Sequence, residues 1–348
     1  MELKSMIMEL CALPSPAGFE GKAFERVQAL LAPYVDEIKT DAMGNLIAVR
    51  RCGKPDAKKL MLDAHMDEIG LIVTGHDEGF LRFSSIGGVD QRMLPAREVK
   101  VLTEPPIFGV IDTLPVHTLT DEEMEKSIDA DKLFIDVGLT QEEAVEKVPL
   151  GTPVVYAGGV NELMENILCG KSLDDRSCVS IILKTMEELA GKDLSVDLYC
   201  LISTQEELGT RGATVGAYTV APDYAIALDV TFAATPDTKK GETMELRKGA
   251  AIGVGPNMHR TLTQQLIDFA KAQEIPYQLE IMGGSTGTDG WPIQVSREGV
   301  ATLLVSLPIR CMHTPVETMD LADAENIVKL LTGFIPTLGV DEGGKINA

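Results

Sequence analysis

Apolar residues at three- and four-residue spacing over residues 2–12 predict a helix that stops at Pro14-Ser15-Pro16. The same spacing of Phe24, Val27, Leu30 and Leu31 predicts a second helix from about Phe19 to Leu31. Two extended runs follow, EIKTD and NLIAVR, joined through Ala42-Met43-Gly44, where Gly-Asn suits a tight turn. KKLMLDAH is a further strand-like run. Between about residues 70 and 160 the runs shorten to LIVTG, FLRFSS, REVKVLT, IFGVIDT, LFIDVG and TPVVYAG, punctuated by Gly and Pro. Helix-length segments are mostly missing there, which predicts a small β-barrel or sandwich. Thr140-Gln141-Glu142-Glu143 reads as a capping box for one short helix. From about residue 172, helices (SCVSIILKTMEELAG, TLTQQLIDFAKAQ, ADAENIVKLLTGFI) alternate with strands (VDLYCLIST, DYAIALDVT, IPYQLEIM, GVATLLVSLP). That alternation implies an α/β sheet with helices on both faces. The expected organisation is a discontinuous α/β domain, residues 1–68 and 161–348, interrupted by an inserted β-rich domain at 69–160.

Composition narrows the function classes. Acidic residues outnumber basic ones 53 to 31, a formal net charge of −22, which argues against nucleic acid or an anionic membrane as partner. The six cysteines form no C-x-x-C pair and are spread along the chain, as free thiols of a reducing compartment are. No apolar run approaches the roughly 20 residues that span a bilayer, and the N-terminus does not read as a signal peptide. The expected location is the cytoplasm.

The chemistry gathers at strand ends. In DAHMDEIG, His65 and Asp67 fall on the same side of an extended chain, so the Asp67 carboxylate is placed to accept the ring N–H that a metal does not use. Alone, H-x-D is weak. VDLYCLIST runs into Glu206-Glu207, YAIAL into Asp229, and ATLLVSLP towards His313, while Asp174 lies in a loop before a helix. Sites in open α/β sheets form beyond the carboxyl ends of the strands, so these residues can converge. Two histidines and three or four carboxylates make an N/O ligand set for zinc, cobalt or manganese. A pair of ions calls for a bridging carboxylate, and Glu206-Glu207 supplies a ligand plus a neighbouring acid free to act as base. His76, His117 and His259 lack a carboxylate in register and read as structural or surface residues.

The motifs SPAGFE, AHMDEIG, LDDR, TQEELGTRGA, ALDV, GTDG and IRCMHTPVE run in order over almost the whole chain. Through them the sequence resembles the M42 metallo-aminopeptidases. The resemblance implies a zinc-peptidase-like three-layer α/β catalytic domain with an inserted small β-barrel used in dimerisation. It also implies a homo-oligomer, often a dodecamer built from dimers, acting on peptides. By the same resemblance His65, Asp174 and Asp229 would hold one of two divalent ions, zinc or cobalt with manganese as a further option. Asp174, Glu207 and His313 would hold the other, with Asp174 bridging. Glu206 would be the general base activating a metal-bridged water, and Asp67 the partner of His65. Cys178 and Gly290 depart from the glycine and alanine usual in the family. The rival readings are a glycoside hydrolase, an acylamino-acid hydrolase, and a non-catalytic metal-stabilised assembly protein.

Overall fold

The computed structural model describes residues 1–118, 120, 128, 130–236, 238–239, 241 and 243–339. Two sheets organise them. The first takes strands from both ends of the chain: β1 (Glu37–Thr40), β2 (Leu46–Arg50) and β3 (Lys58–His65), then β10 (Asn161–Glu162), β11 (Ile167–Gly170), β12 (Val196–Ser203), β13 (Tyr224–Phe232), β16 (Ala301–Arg310) and β17 (Glu317–Asp320). Their order is β1-β2-β12-β3-β13-β16-β17-β11-β10, with β14 (Ala250–Val254) and β15 (Tyr277–Ile281) extending the sheet from β16. The central strands β12, β3, β13 and β16 are parallel.

The second sheet is a closed barrel, β4-β5-β8-β7-β6-β9, of β4 (Gly70–Asp77), β5 (Phe80–Ile86), β6 (Glu98–Val101), β7 (Ile107–Asp112), β8 (Phe134–Asp136) and β9 (Pro153–Tyr156). Closure leaves it no free edge. The capping box at Thr140 and Glu143 starts the short helix Gln141–Lys147.

Strand alternation separates two cores. Leu60, Leu62, Leu198, Cys200, Ile202, Ile226, Leu228, Leu303 and Val305 face one way, against the helices Leu3–Ala12, Gly21–Leu31, Leu173–Leu189, Arg260–Ala272 and Leu321–Phe334. Met61, Leu201, Ala225, Ala227 and Leu304 face the other way, where the described cover is the helix Arg211–Val220 and the one-turn Gly290–Ile293. On that thinly covered face, apolar residues give way to polar ones toward the carboxyl ends: Met61 to Asp63 and His65, Leu201 to Ser203, Ala227 to Asp229 and Thr231, Leu304 to Ser306.

β13 runs on past Asp229, as the strand-like run DYAIALDVT suggested. Its ladder with β16 continues to Phe232↔Ile309, whereas its ladder with β3 stops at Ala227↔Asp63. The two strands part there, and the crevice opens between His65 and Asp229.

Candidate active site

His65 sits at the end of β3, buried, with Nε2 3.2 Å from Asp174 Oδ1. The other oxygen of that carboxylate, Oδ2, is 3.4 Å from His313 Nε2, which is also 3.4 Å from Glu207 Oε1. Glu206 Oε2 lies 3.9 Å from His65 Nε2. One carboxylate thus lies between two imidazoles. Ligand-capable atoms also cluster as His65, Asp174 and Glu207, and as His65, Asp175 and Asp229. Asp174 and Asp175 open the helix Leu173–Leu189 in non-helical backbone, which carries their carboxyl groups off the helix and into the crevice.

Both histidines are oriented alike. The Nδ1 of His65 is 3.1 Å from the Asp67 carbonyl, and that of His313 is 2.9 Å from the Gly88 carbonyl. A ring N–H donated to each carbonyl leaves Nε2 as the free lone pair. The Asp67 carboxylate, expected from sequence to take this bond, is farther from Nδ1 at 3.6 Å. It accepts instead from the backbone N–H groups of Glu206 and Glu207, at 3.0 and 3.1 Å. Glu317 does the same on the opposite side, accepting from the N–H groups of His313 and Asp174 at 3.0 and 3.1 Å. Each buried carboxylate ties two backbone donors of the site in place.

Along the segment that follows His65 runs a buried ionic network. Glu68 accepts from Arg176 Nη2 at 2.9 Å, Lys171 Nζ at 2.7 Å, the Ser15 N–H at 2.9 Å and the Ser172 hydroxyl. Arg176, wholly buried, also donates to the carbonyls of Leu10, Leu13 and Met66. Burial opposes the ionisation of Glu68, but Arg176 and Lys171 outweigh it and hold the carboxyl down to about 2.

The crevice itself gathers more carboxyl groups than it has cationic partners. Burial pushes Glu206 up to about 10 and Glu207 up to about 7, and raises Asp175 and Asp229 well above the usual carboxylate range. Burial acts on Asp174 in the same direction, yet the facing His313 and His65 rings, which donate to it from Nε2 only when protonated, hold it below that range. Asp175 Oδ1 is buried without a partner. A cluster of carboxylates with two imidazole lone pairs fits divalent cations by charge and by donor type.

All seven residues singled out from sequence therefore lie at this crevice or brace it. Sequence reasoning missed Asp175, Glu317, Gly88 and the Glu68–Lys171–Arg176 network. The Gly87-Gly88 pair was the available signal for Gly88, because a Cβ there would come within 2.8 Å of His313 Nδ1. Of the remaining histidines, His259 caps the helix Arg260–Ala272, His76 Nε2 meets the Val148 carbonyl, and His117 is exposed.

The family model described as M42 glutamyl aminopeptidase matches residues 44–330. The chain belongs to the M42 peptidase family. It is a hydrolase of the metallo-aminopeptidase class. A Pyrococcus furiosus protein described as a lysyl aminopeptidase is 37% identical over 97% of both chains. A TET aminopeptidase structure from a marine sediment thaumarchaeon superposes with a TM-score of 0.92 at 30% identity, covering 97% of each chain. A Pyrococcus horikoshii TET1 peptidase, titled as assembling into a tetrahedron or a large octahedral shell, gives 0.85 at 31% identity over 97% of this chain and all of its own. These neighbours share the α/β sheet and barrel arrangement. Among the described residues no helix is long and apolar enough to cross a membrane.

Proposed function

We propose that this M42 enzyme removes N-terminal residues from peptides with two divalent cations per chain. His65, Asp174 and Asp229 hold one; Asp174, Glu207 and His313 hold the other. The observation that carries this reading is the position of Asp174, whose two oxygens each face a different Nε2. Three ligand carboxylates and one hydroxide balance two dications, so the site is neutral when loaded. Zinc and cobalt suit its nitrogen and oxygen donors, with manganese as a further option. When bound, such cations acidify water and polarise a scissile carbonyl.

The rest is the work of the chain's own groups. Glu206 faces the same crevice without being needed as a ligand, and takes the proton of the attacking water. It then returns that proton to the leaving amine. Asp67 fixes the backbone of Glu206 and Glu207, so base and ligand keep their separate orientations on adjacent residues. Carboxylate oxygens of the cavity accept from the free α-amine of the peptide and thereby favour cleavage at the chain end.

The test separates the two glutamates. Glu206→Gln should keep both metals and lose about 10²–10⁴-fold in turnover, the usual worth of a positioned acid–base group. Glu207→Gln should lose metal, with part of the activity restored at high metal concentration. Metal content and turnover measured on both variants decide it; retention of full activity by Glu206→Gln would sink the assignment.

We also propose that the residue 69–160 domain is an assembly surface, building dimers into a dodecamer in the cytoplasm. Support comes from the titled assembly of the TET1 relative, from the exposed apolar side chains Phe108, Leu114 and Leu150, and from six cysteines that are all free. Sedimentation at micromolar concentration should show a large particle; a monomer would end this proposal.

A further inference from the structure

The cavity beside His65 and His313 holds about 300 Å³ and extends past Asp229 along β13. Among the described residues its lining includes no lysine or arginine. Among its carboxylates, Asp174 and Asp229 are proposed ligands and Glu206 the base, which leaves Glu280 without a role. Glu280 stands on β15 and reaches across β14 to the face that bears the site. Its Oε2 accepts from the Ser306 hydroxyl at 3.0 Å and its Oε1 from the Thr231 hydroxyl. Ser306 is the register partner of Asp229, and Thr231 is the next residue on the same face of β13. Glu280 is therefore anchored between the level of Asp229, which Ser306 shares, and that of Thr231, about 6–7 Å further along β13 at strand rise.

Those two hydroxyl bonds fix the carboxylate's orientation and use one acceptor position on each oxygen, leaving others free for a further donor. The same lining includes Leu304 and Met312, whose apolar side chains suit an aliphatic stem. A pocket with apolar walls and an anionic group matches a long side chain that is apolar along its length and cationic at its tip. An acidic first residue would instead bring its carboxylate against Glu280.

We propose that Glu280 is the specificity-determining residue of the first subsite and selects peptides that begin with lysine or arginine. This rests on the aminopeptidase reading of the same crevice, and the experiment separates the two. Lysyl, arginyl, norleucyl, leucyl and glutamyl amide substrates are compared on the metal-loaded enzyme and on Glu280→Gln. Norleucine keeps the stem of lysine and lacks the ammonium. The wild type should favour lysyl over norleucyl substrate by about 10²-fold in kcat/KM, the scale of a charge-assisted contact in a partly buried pocket. Glu280→Gln should reduce that ratio to within about threefold while norleucyl cleavage stays unchanged, which also shows the variant to be folded. Calorimetric binding of lysine amide and norleucine amide gives an activity-free readout, and their difference should vanish in the variant. The proposal is overturned if the wild type cleaves norleucyl or glutamyl substrates as well as lysyl ones. It is also overturned if Glu280→Gln weakens lysyl and norleucyl cleavage equally, since that marks a structural role. Failure to cleave any of the five overturns the aminopeptidase reading itself.

Discussion

The two histidine corners of the crevice are built differently. His65 is buried and ends a central strand, and Arg176 of the Glu68 network holds the carbonyl of the next residue, Met66. His313 is about one-third exposed, lies in the loop after β16 with a positive φ of 61°, and takes its orienting carbonyl from Gly88, at the end of the barrel strand β5. One corner is held by the sheet's own core, the other by contact between two separately cored parts of the chain. Rigid, buried ligands lose little freedom when they bind, whereas a loop-borne ligand must be ordered first. A cation should therefore bind more tightly at the His65 corner than at the His313 corner.

The strongest test acts on the group that the corners share. Asp174→Asn should release both cations and lower turnover by about 10³-fold or more, since the positioned acid–base and electrostatic contributions fail together. Metal analysis of the dialysed variant checks this; full retention at either corner would show that Asp174 is not shared.

Next in size is the network around Glu68, which follows the His65 strand. Glu68→Gln leaves Arg176 and Lys171 buried without their counter-charge, so it should destabilise the protein by about 3–5 kcal/mol at pH 7. The folded-state pKa of Glu68 lies below its ordinary value, so its contribution is fully present above about 4.5 and is lost as pH falls towards about 2. Chemical denaturation of wild type and variant should therefore converge across that acidic window. A constant difference between them would assign the cost to packing instead of charge.

The smallest effect should come from the barrel side. Gly88→Ala pushes a methyl group against His313 Nδ1. It should weaken only the His313-corner cation, by about 10–100-fold, as lost support behind a ligand typically does. Competition with a chromophoric chelator reads the two affinities separately. Equal weakening of both would erase the distinction between the corners.

That distinction also explains what the sequence revealed. His65 and Asp229 were legible because strand alternation and a short local motif place them on a known face near the ends of strands. The alternation of helices and strands, and the short runs between residues 70 and 160, likewise read through to the sheet and the barrel. Gly88 and His313 are 225 positions apart, and Glu68 and Arg176 are 108 apart, so no local pattern links either pair. Glu317 was quoted only as part of a motif, and its role depends on two backbone N–H groups whose convergence is a tertiary fact. Even at Asp67 the residue was legible while its bond was not, since the carbonyl and the carboxylate exchange the partners that spacing alone suggested.

The order in which the chain is made gives the sheet topology a further meaning. β16, flanked by β13 and β17, is among the last strands to leave the ribosome, and His313 follows it. A nascent chain that already displays His65, Asp174, Glu206, Glu207 and Asp229 still lacks the second imidazole. It also lacks the Glu317 carboxylate that braces Asp174. A peptidase with its ligands dispersed in this way cannot assemble its proposed centre during synthesis until nearly the whole polypeptide has emerged.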